Sequence, residues 1–242
     1  MKFHFLIHKE QGWYLFDKDG FLQKRAKQNA DKQIKVQGEE LHHEFINILN
    51  PILDFYKSIG KQFQNDNKTF GDIVFHLNEN KKLREDVEFE ILIFANKFGM
   101  GTSNGFMDFG VMLHGLDQDP DTFISEHKFT VFNLVETALA MSKLLVDRKS
   151  FELIPTKMKE LCNRVGKRLV PQINGGIYYE TSDIFASMFW TMAFTEYQHQ
   201  VKECRWCSAP ILTDVRASFC KAPRQCKNKY NNSKRPTKKG AK

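Results

Sequence analysis

The sequence predicts a mainly α-helical protein with a small N-terminal β element, an α+β fold class. Three observations carry that prediction. Residues 1–25 read as a small β meander that opens with the strand-period alternation of Phe3, Phe5 and Ile7. From about Glu39 the apolar spacing lengthens to three and four residues, the period of a helix with one buried face. The chain of 242 residues is 41% hydrophobic with 22 Phe, enough apolar surface to bury a sizeable core.

The N-terminal element reads as a meander. Phe3, Phe5 and Ile7 form one run and Trp13-Tyr14-Leu15-Phe16 a second. Asp17-Lys18-Asp19-Gly20 supplies a turn before Phe21-Leu22, because Asp bonds its own backbone and Gly accepts positive φ. The Lys- and Gln-rich stretch from Lys24 to Gln37 predicts a polar connector.

The helical part follows. Leu41, Phe45, Ile48, Leu49, Ile52, Leu53, Tyr56 and Ile59 lie on one stripe, and Pro51 should kink or divide that helix. Leu83, Val87, Ile91, Phe94, Ala95 and Phe98 form a second stripe closed by Gly99 and Gly101. Phe106 to Leu116 has no decisive period. Further helices are expected over Glu126 to Val146 and Phe151 to Leu169, followed by a Gly175-Gly176 turn. A last helix runs from Asp183 to about Lys202, with Thr181 and Ser182 as candidate caps, and leads directly into Cys204. No run reaches the roughly 18 apolar residues needed to cross a bilayer, so no membrane partner is expected. The N-terminus has no long apolar stretch with a cleavage site. Together these place the chain in the reducing cytoplasm, where clustered cysteines favour metal over disulfides.

Charge is distributed unevenly. The chain carries a net +7, yet residues 201–242 hold twelve Lys or Arg against only Glu203 and Asp214, so residues 1–200 are net −3. The positive field belongs to the C-terminal region and attracts phosphate.

That region also holds four of the five cysteines, spaced Cys204-x2-Cys207-x12-Cys220-x5-Cys226. Two short cysteine pairs separated by a loop can supply the four thiolates of one tetrahedral zinc ion. A shell of four thiolates leaves no position open for water or substrate, so the metal would be structural. His199 is a reserve ligand, and Cys162, beside Leu161 and Val165, reads as a core residue. Trp206, Phe219 and Tyr230 interleave with basic residues, a combination that can stack bases while cations hold phosphates. Candidate nucleic-acid contacts are Arg205, Trp206, Arg216, Lys221, Arg224, Lys227, Asn228, Lys229, Tyr230, Lys234 and Arg235.

The terminal Cys pair, the Phe219-Cys220 step and the last cysteine followed by Lys227-Asn228-Lys229 resemble bacterial proteins with C-terminal treble-clef fingers, of the Cys-Gly-Asn-Arg type. The resemblance spans about residues 200–230. It implies zinc ligands at Cys204, Cys207, Cys220 and Cys226, a treble-clef or ribbon-like finger, a phosphate-facing surface near Asn228 and Lys229, and a DNA-binding regulator with a separate N-terminal domain. Lys227 stands where that motif has glycine, Lys229 where it has arginine, and the final cysteine pair is wider.

The expected organisation is a β meander and polar connector over 1–37, a helical domain over 38–202, a zinc finger over 203–230 and a disordered basic tail over 231–242. The expected function is zinc-dependent nucleic-acid binding, DNA rather than RNA, with the helical domain available for a homodimer or protein partner. Two alternatives come from other classes. One is a protein-interaction module with a structural finger. The other is a nucleic-acid-acting toxin or defence enzyme with an unidentified site in the helical body, which a polar cleft lined by His42, His43, Glu44 or Asp108 would support. No His-Glu-x-x-His or Gly-x-x-x-x-Gly-Lys-Ser/Thr occurs, and no Arg is followed four to six residues later by His. The residues Asp117, Asp119 and Asp121 resemble the start of a calcium loop, but Thr122 and Lys128 stand where it needs Gly and Glu, so a turn is expected there.

Overall fold

The computed structural model describes residues 4–61, 63, 67–101, 103–114, 129–146, 163, 165–171, 177–181, 183–194, 202–206, 210–211, 219 and 226–234. Strand β1 (His4–Phe16) turns at Asp17–Gly20 into β2 (Leu22–Gln37). The turn forms as its sequence dictates: Asp17 Oδ1 accepts from the amides of Asp19 at 3.0 Å and Phe21 at 2.9 Å, and Gly20 takes φ 82°. The Lys24 to Gln37 stretch is therefore a strand and not the expected connector. Its alternation is hidden because, among its described side chains, Ile34 and Val36 are the apolar ones that point inward, opposite Ile7 and Phe5. A bulge between Glu10 and Gly12 resets the register and aims Tyr14 and Phe16 at the core.

The helices that follow are α1 (Gly38–Ile46), a single 3-10 turn over Asn47–Leu49, and α2 (Asn50–Ser58). Pro51 divides the stripe as expected, sitting in the first turn of α2 where its missing N–H costs nothing. Ile59 ends exposed, while the rest of the stripe is buried. Helix α3 (Asn67–Glu79) was not expected from the sequence. Helix α4 (Lys81–Phe98) is capped by Asn80, whose Oδ1 accepts from Leu83 N at 3.0 Å, and ends at Gly99 with φ 85°. Phe106, left open by the sequence, lies in α5 (Ser103–His114).

Helix α6 (Val131–Val146) starts later than Glu126 because Phe129 and Thr130 are extended, with Leu22 N donating to Phe129 O at 2.8 Å. Leu169, expected in a helix, lies in β3 (Val165–Pro171), which pairs antiparallel with β4 (Ile177–Thr181). Basic Lys167 and Arg168 interrupt its apolar run and mimic helical spacing. The helix expected over 151–162, Gly175-Gly176, the Asp117–Asp121 pattern, Cys162 and His199 lie outside the described residues.

The sheet order is β2-β1-β4-β3, with β1 parallel to β4. Helix α7 (Ile184–Phe194) is apolar on every side and runs through the centre of the core. Its cap is Asp183 and not Thr181, while Ser182 lies outside the described residues: Asp183 Oδ1 accepts from Phe185 N at 3.0 Å and Ala186 N at 3.2 Å. The buried hydroxyls of Ser187 and Thr191 donate to carbonyls one turn back. Phe45, on α1, meets the rings of Phe94 and Phe185 at 5.2 and 6.0 Å. The architecture is mostly helical with a small sheet built largely from the N-terminus. No helix among the described residues is long and apolar enough to cross a membrane.

Candidate functional site

The C-terminal region begins with a minimal hairpin, β5 (Lys202–Glu203) against β6 (Pro210–Ile211). The helix expected to run to Lys202 thus does not lead directly into Cys204. Cys204 follows β5 and is 2% exposed. Cys226 is the first residue of α8 (Cys226–Lys234) and is 1% exposed. The two thiols share a cluster, separate from the main core, with half-buried Trp206 and Phe219. The first and last cysteines of the motif are thereby brought into one apolar nest. Cys207 and Cys220 lie outside the described residues, and among the described residues no group of three metal-ligating side chains forms.

The outer side of α8 is polar. Lys227, Asn228, Lys229 and Lys234 are exposed, as is Arg205 in the turn after Cys204. Tyr230 is half-buried, its ring 5.3 Å from that of Phe219, with Lys234 Nζ 5.7 Å from the Tyr230 centroid. Arg216, Lys221, Arg224 and Arg235 lie outside the described residues.

This region packs on the helical body through α2. Lys57 Nζ stands 5.6 Å from the Trp206 ring centroid, a cation–π contact between segments far apart in sequence. Burial, followed by the neighbouring Lys229 ammonium, pulls the Lys57 pKa below its ordinary value, while Cys226 and Asp54 oppose the shift. Between α2 and the C-terminal region lies a cleft of about 390 Å³, lined on one side by Tyr56, Lys57 and Lys61 and on the other by Arg205, Trp206 and Tyr230. Tyr56 is pushed up to about 12 by burial and, second, by the Asp72 charge. Sequence reasoning missed Tyr56, Lys57 and Lys61, because a helical stripe shows which face is buried but not which distant segment covers its edge.

The residues of the alternative enzymatic site are scattered in role. His42 is fully buried and its Nε2–H donates to the Met188 carbonyl at 2.8 Å, tying α1 to α7. His43 is exposed beside Asn47, and Glu44 accepts from Lys97 at 2.9 Å. Asp108 is buried in α5. His42 thus has a structural duty that accounts for its burial.

No protein-family model, curated protein or solved structure matches this chain.

Proposed function

We propose that the protein binds nucleic acid, DNA in preference to RNA, through residues 203–230 ordered around one structural zinc ion on Cys204, Cys207, Cys220 and Cys226. The observation that carries this reading is the shared burial of Cys204 and Cys226, which no large apolar core explains. Among the described residues Trp206 and Phe219 alone pack with them, too little apolar surface to order a segment of this length alone. Soft thiolate donors suit zinc, and a ligand at the first residue of α8 receives the positive end of that helix. Bound zinc supplies a cross-link and no chemistry, since four thiolates fill its shell.

The cations left outside this nest supply affinity. Arg205 in the turn after Cys204 and Lys227, Lys229 and Lys234 on α8 are all exposed. Four phosphate contacts give a slope of about −3.6 in log K against log salt, so affinity falls roughly 100-fold between 50 and 200 mM. Contacts of this kind position the protein without reading sequence.

A second reading, a protein-interaction module, is favoured by the exposed Phe75, Phe89 and Ile93, at 61%, 62% and 42%, on α3 and α4. One experiment separates the two. Zinc is counted per chain in protein purified without a metal-affinity tag, and anisotropy is measured on a fluorescent duplex at both salt concentrations. One zinc with salt-sensitive binding that K227E/K229E/K234E abolishes supports nucleic-acid binding. One zinc without binding transfers the function to the apolar face, and zinc-free, folded protein under reducing conditions refutes the metal.

A further inference from the structure

The cleft between α2 and the C-terminal region has walls unlike those of its neighbour. The cleft on the other side of α2, about 510 Å³, carries Asp54, Asp86 and Glu90 against a single Lys82. The 390 Å³ cleft carries Lys57, Lys61 and Arg205 and, among the described residues that line it, no carboxylate. Asp54 of α2 therefore lines the acidic cleft and Lys57 of α2 the basic one, and the basic cleft is the one the C-terminal region covers.

Two further observations point to a ligand. Tyr56, 4% exposed, and Trp206 each keep a buried polar atom, Oη and Nε1, with no hydrogen-bond partner among the described residues. Such atoms are rare in folded proteins, and two in the lining of one cleft call for a cause. Lys57 and Lys229 also bring two ammonium groups side by side at this junction. An anion between them would turn repulsion into attraction. The rest of the lining is mainly aromatic, with Tyr56, Phe63, Trp206 and Tyr230 around one opening. A cleft of this size fits a small molecule held by apolar faces and a few convergent polar groups.

We propose that this cleft binds a phosphorylated nucleoside, with the phosphate against Lys57, Lys61 and Arg205 and the base against the aromatic wall. The inference rests on the nucleic-acid reading for its ligand class. Cations alone would take any phosphate; the aromatic wall, which stacks bases regardless of sequence, is what selects a nucleoside. The Tyr56 hydroxyl and the Trp206 indole N–H serve the polar edge of the base. The unit has two sources of the same chemistry, a free nucleotide or one nucleotide of a single strand.

Calorimetric titration of the full-length protein tests this, using each 5′-ribonucleoside monophosphate, inorganic phosphate and an eight-nucleotide single strand. One site is expected, at least tenfold tighter for a monophosphate or the strand than for inorganic phosphate. Lys61→Glu and Tyr56→Phe should each weaken it at least tenfold; the latter removes one atom and keeps the ring packing. Tight binding of the strand with weak binding of the monophosphates, both weakened by the variants, assigns the unit to a strand. Equal affinities assign it to the free nucleotide. Affinities unmoved by either variant, or phosphate binding as tightly as nucleotide, overturn the proposal. Duplex binding on the same preparations separates the two readings. Duplex binding without nucleotide binding removes the cleft alone, whereas nucleotide binding without duplex binding removes the role of α8 and leaves the cleft.

Discussion

Replacing Tyr56 by Phe should make the protein more stable, although Tyr56 is a buried residue of the core. Its ring packs edge-to-face on Phe63 and His76, each at 5.7 Å, and all of that packing survives the change. What disappears is a hydroxyl buried without a hydrogen-bond partner among the described residues. A buried, unsatisfied polar group costs about 1–3 kcal/mol. Taking the low end, Tyr56→Phe gains about 1 kcal/mol, a rise in Tm of about 2–4 °C for a chain of this length. The pH dependence has a definite sign. Burial holds the Tyr56 phenol protonated up to about 12, above the ordinary 10.0. Its contribution is fully present below pH 10 and is lost as pH rises toward 12, because the unfolded phenol ionises first. The advantage of Tyr56→Phe should therefore widen between pH 7.5 and pH 10.5. Circular-dichroism melts of both proteins at the two pH values measure it. A variant that melts lower than wild type at pH 7.5 would show that the hydroxyl is bonded, and the ligand argument built on it would lose one of its supports.

Four other substitutions probe the frame. Phe45→Ala removes a fully buried ring at the meeting of α1, α4 and α7, so urea unfolding should show a loss of about 3–5 kcal/mol. Gly105→Ala would place a Cβ 1.9 Å from Asp183 Oδ2, displacing the cap of α7; a cost of about 2 kcal/mol is expected, against a gain of about 0.5–1 kcal/mol for Gly71→Ala, where the new Cβ meets nothing within 4 Å. Desolvation raises Glu136 to about 7, so this carboxyl favours the folded state fully below about pH 4.5 and loses that contribution as pH rises to 7. Glu136→Gln should flatten the decline, by an amount on the order of 1 kcal/mol after solvent screening, as read from Tm at pH 5 and pH 8.

The legible parts of the fold are those whose signal is local. The α4 stripe, its glycine stop and the Asp17 turn are each written within a few residues and each is observed. Pro51 divides its helix for a reason confined to one pyrrolidine ring. Strand β2 was hidden because beyond Leu22 its described inward apolar residues are just Ile34 and Val36, and its partner is what defines it. Strand β3 was hidden for a related reason, since its place is set by β4 and through β4 by β1, far away in sequence. The same limit governs the candidate site. The cysteine spacing is a local signal, but the packing of Trp206 on Lys57 is not, and with it went Tyr56 and Lys61.

The cleft couples two processes that would otherwise be independent. One wall, Arg205, Trp206 and Tyr230, belongs to the segment that holds Cys204 and Cys226; the other belongs to α2. If metal binding orders the first wall, a ligand touching both walls must bind more tightly to the metal-loaded protein, and by linkage must hold the metal more tightly in return. The coupling is reciprocal and can be read from either end. Saturating monophosphate should slow zinc transfer to a chromogenic chelator, and chelation should raise the monophosphate Kd by the same factor as ligand lowers the zinc Kd. A Lys61→Glu chain should keep its zinc but lose the retardation, since Lys61 lies on the α2 wall, away from the cysteines. Equal transfer rates with and without nucleotide in a protein that binds both would mean that the α2 wall suffices and that the C-terminal region merely lies beside it.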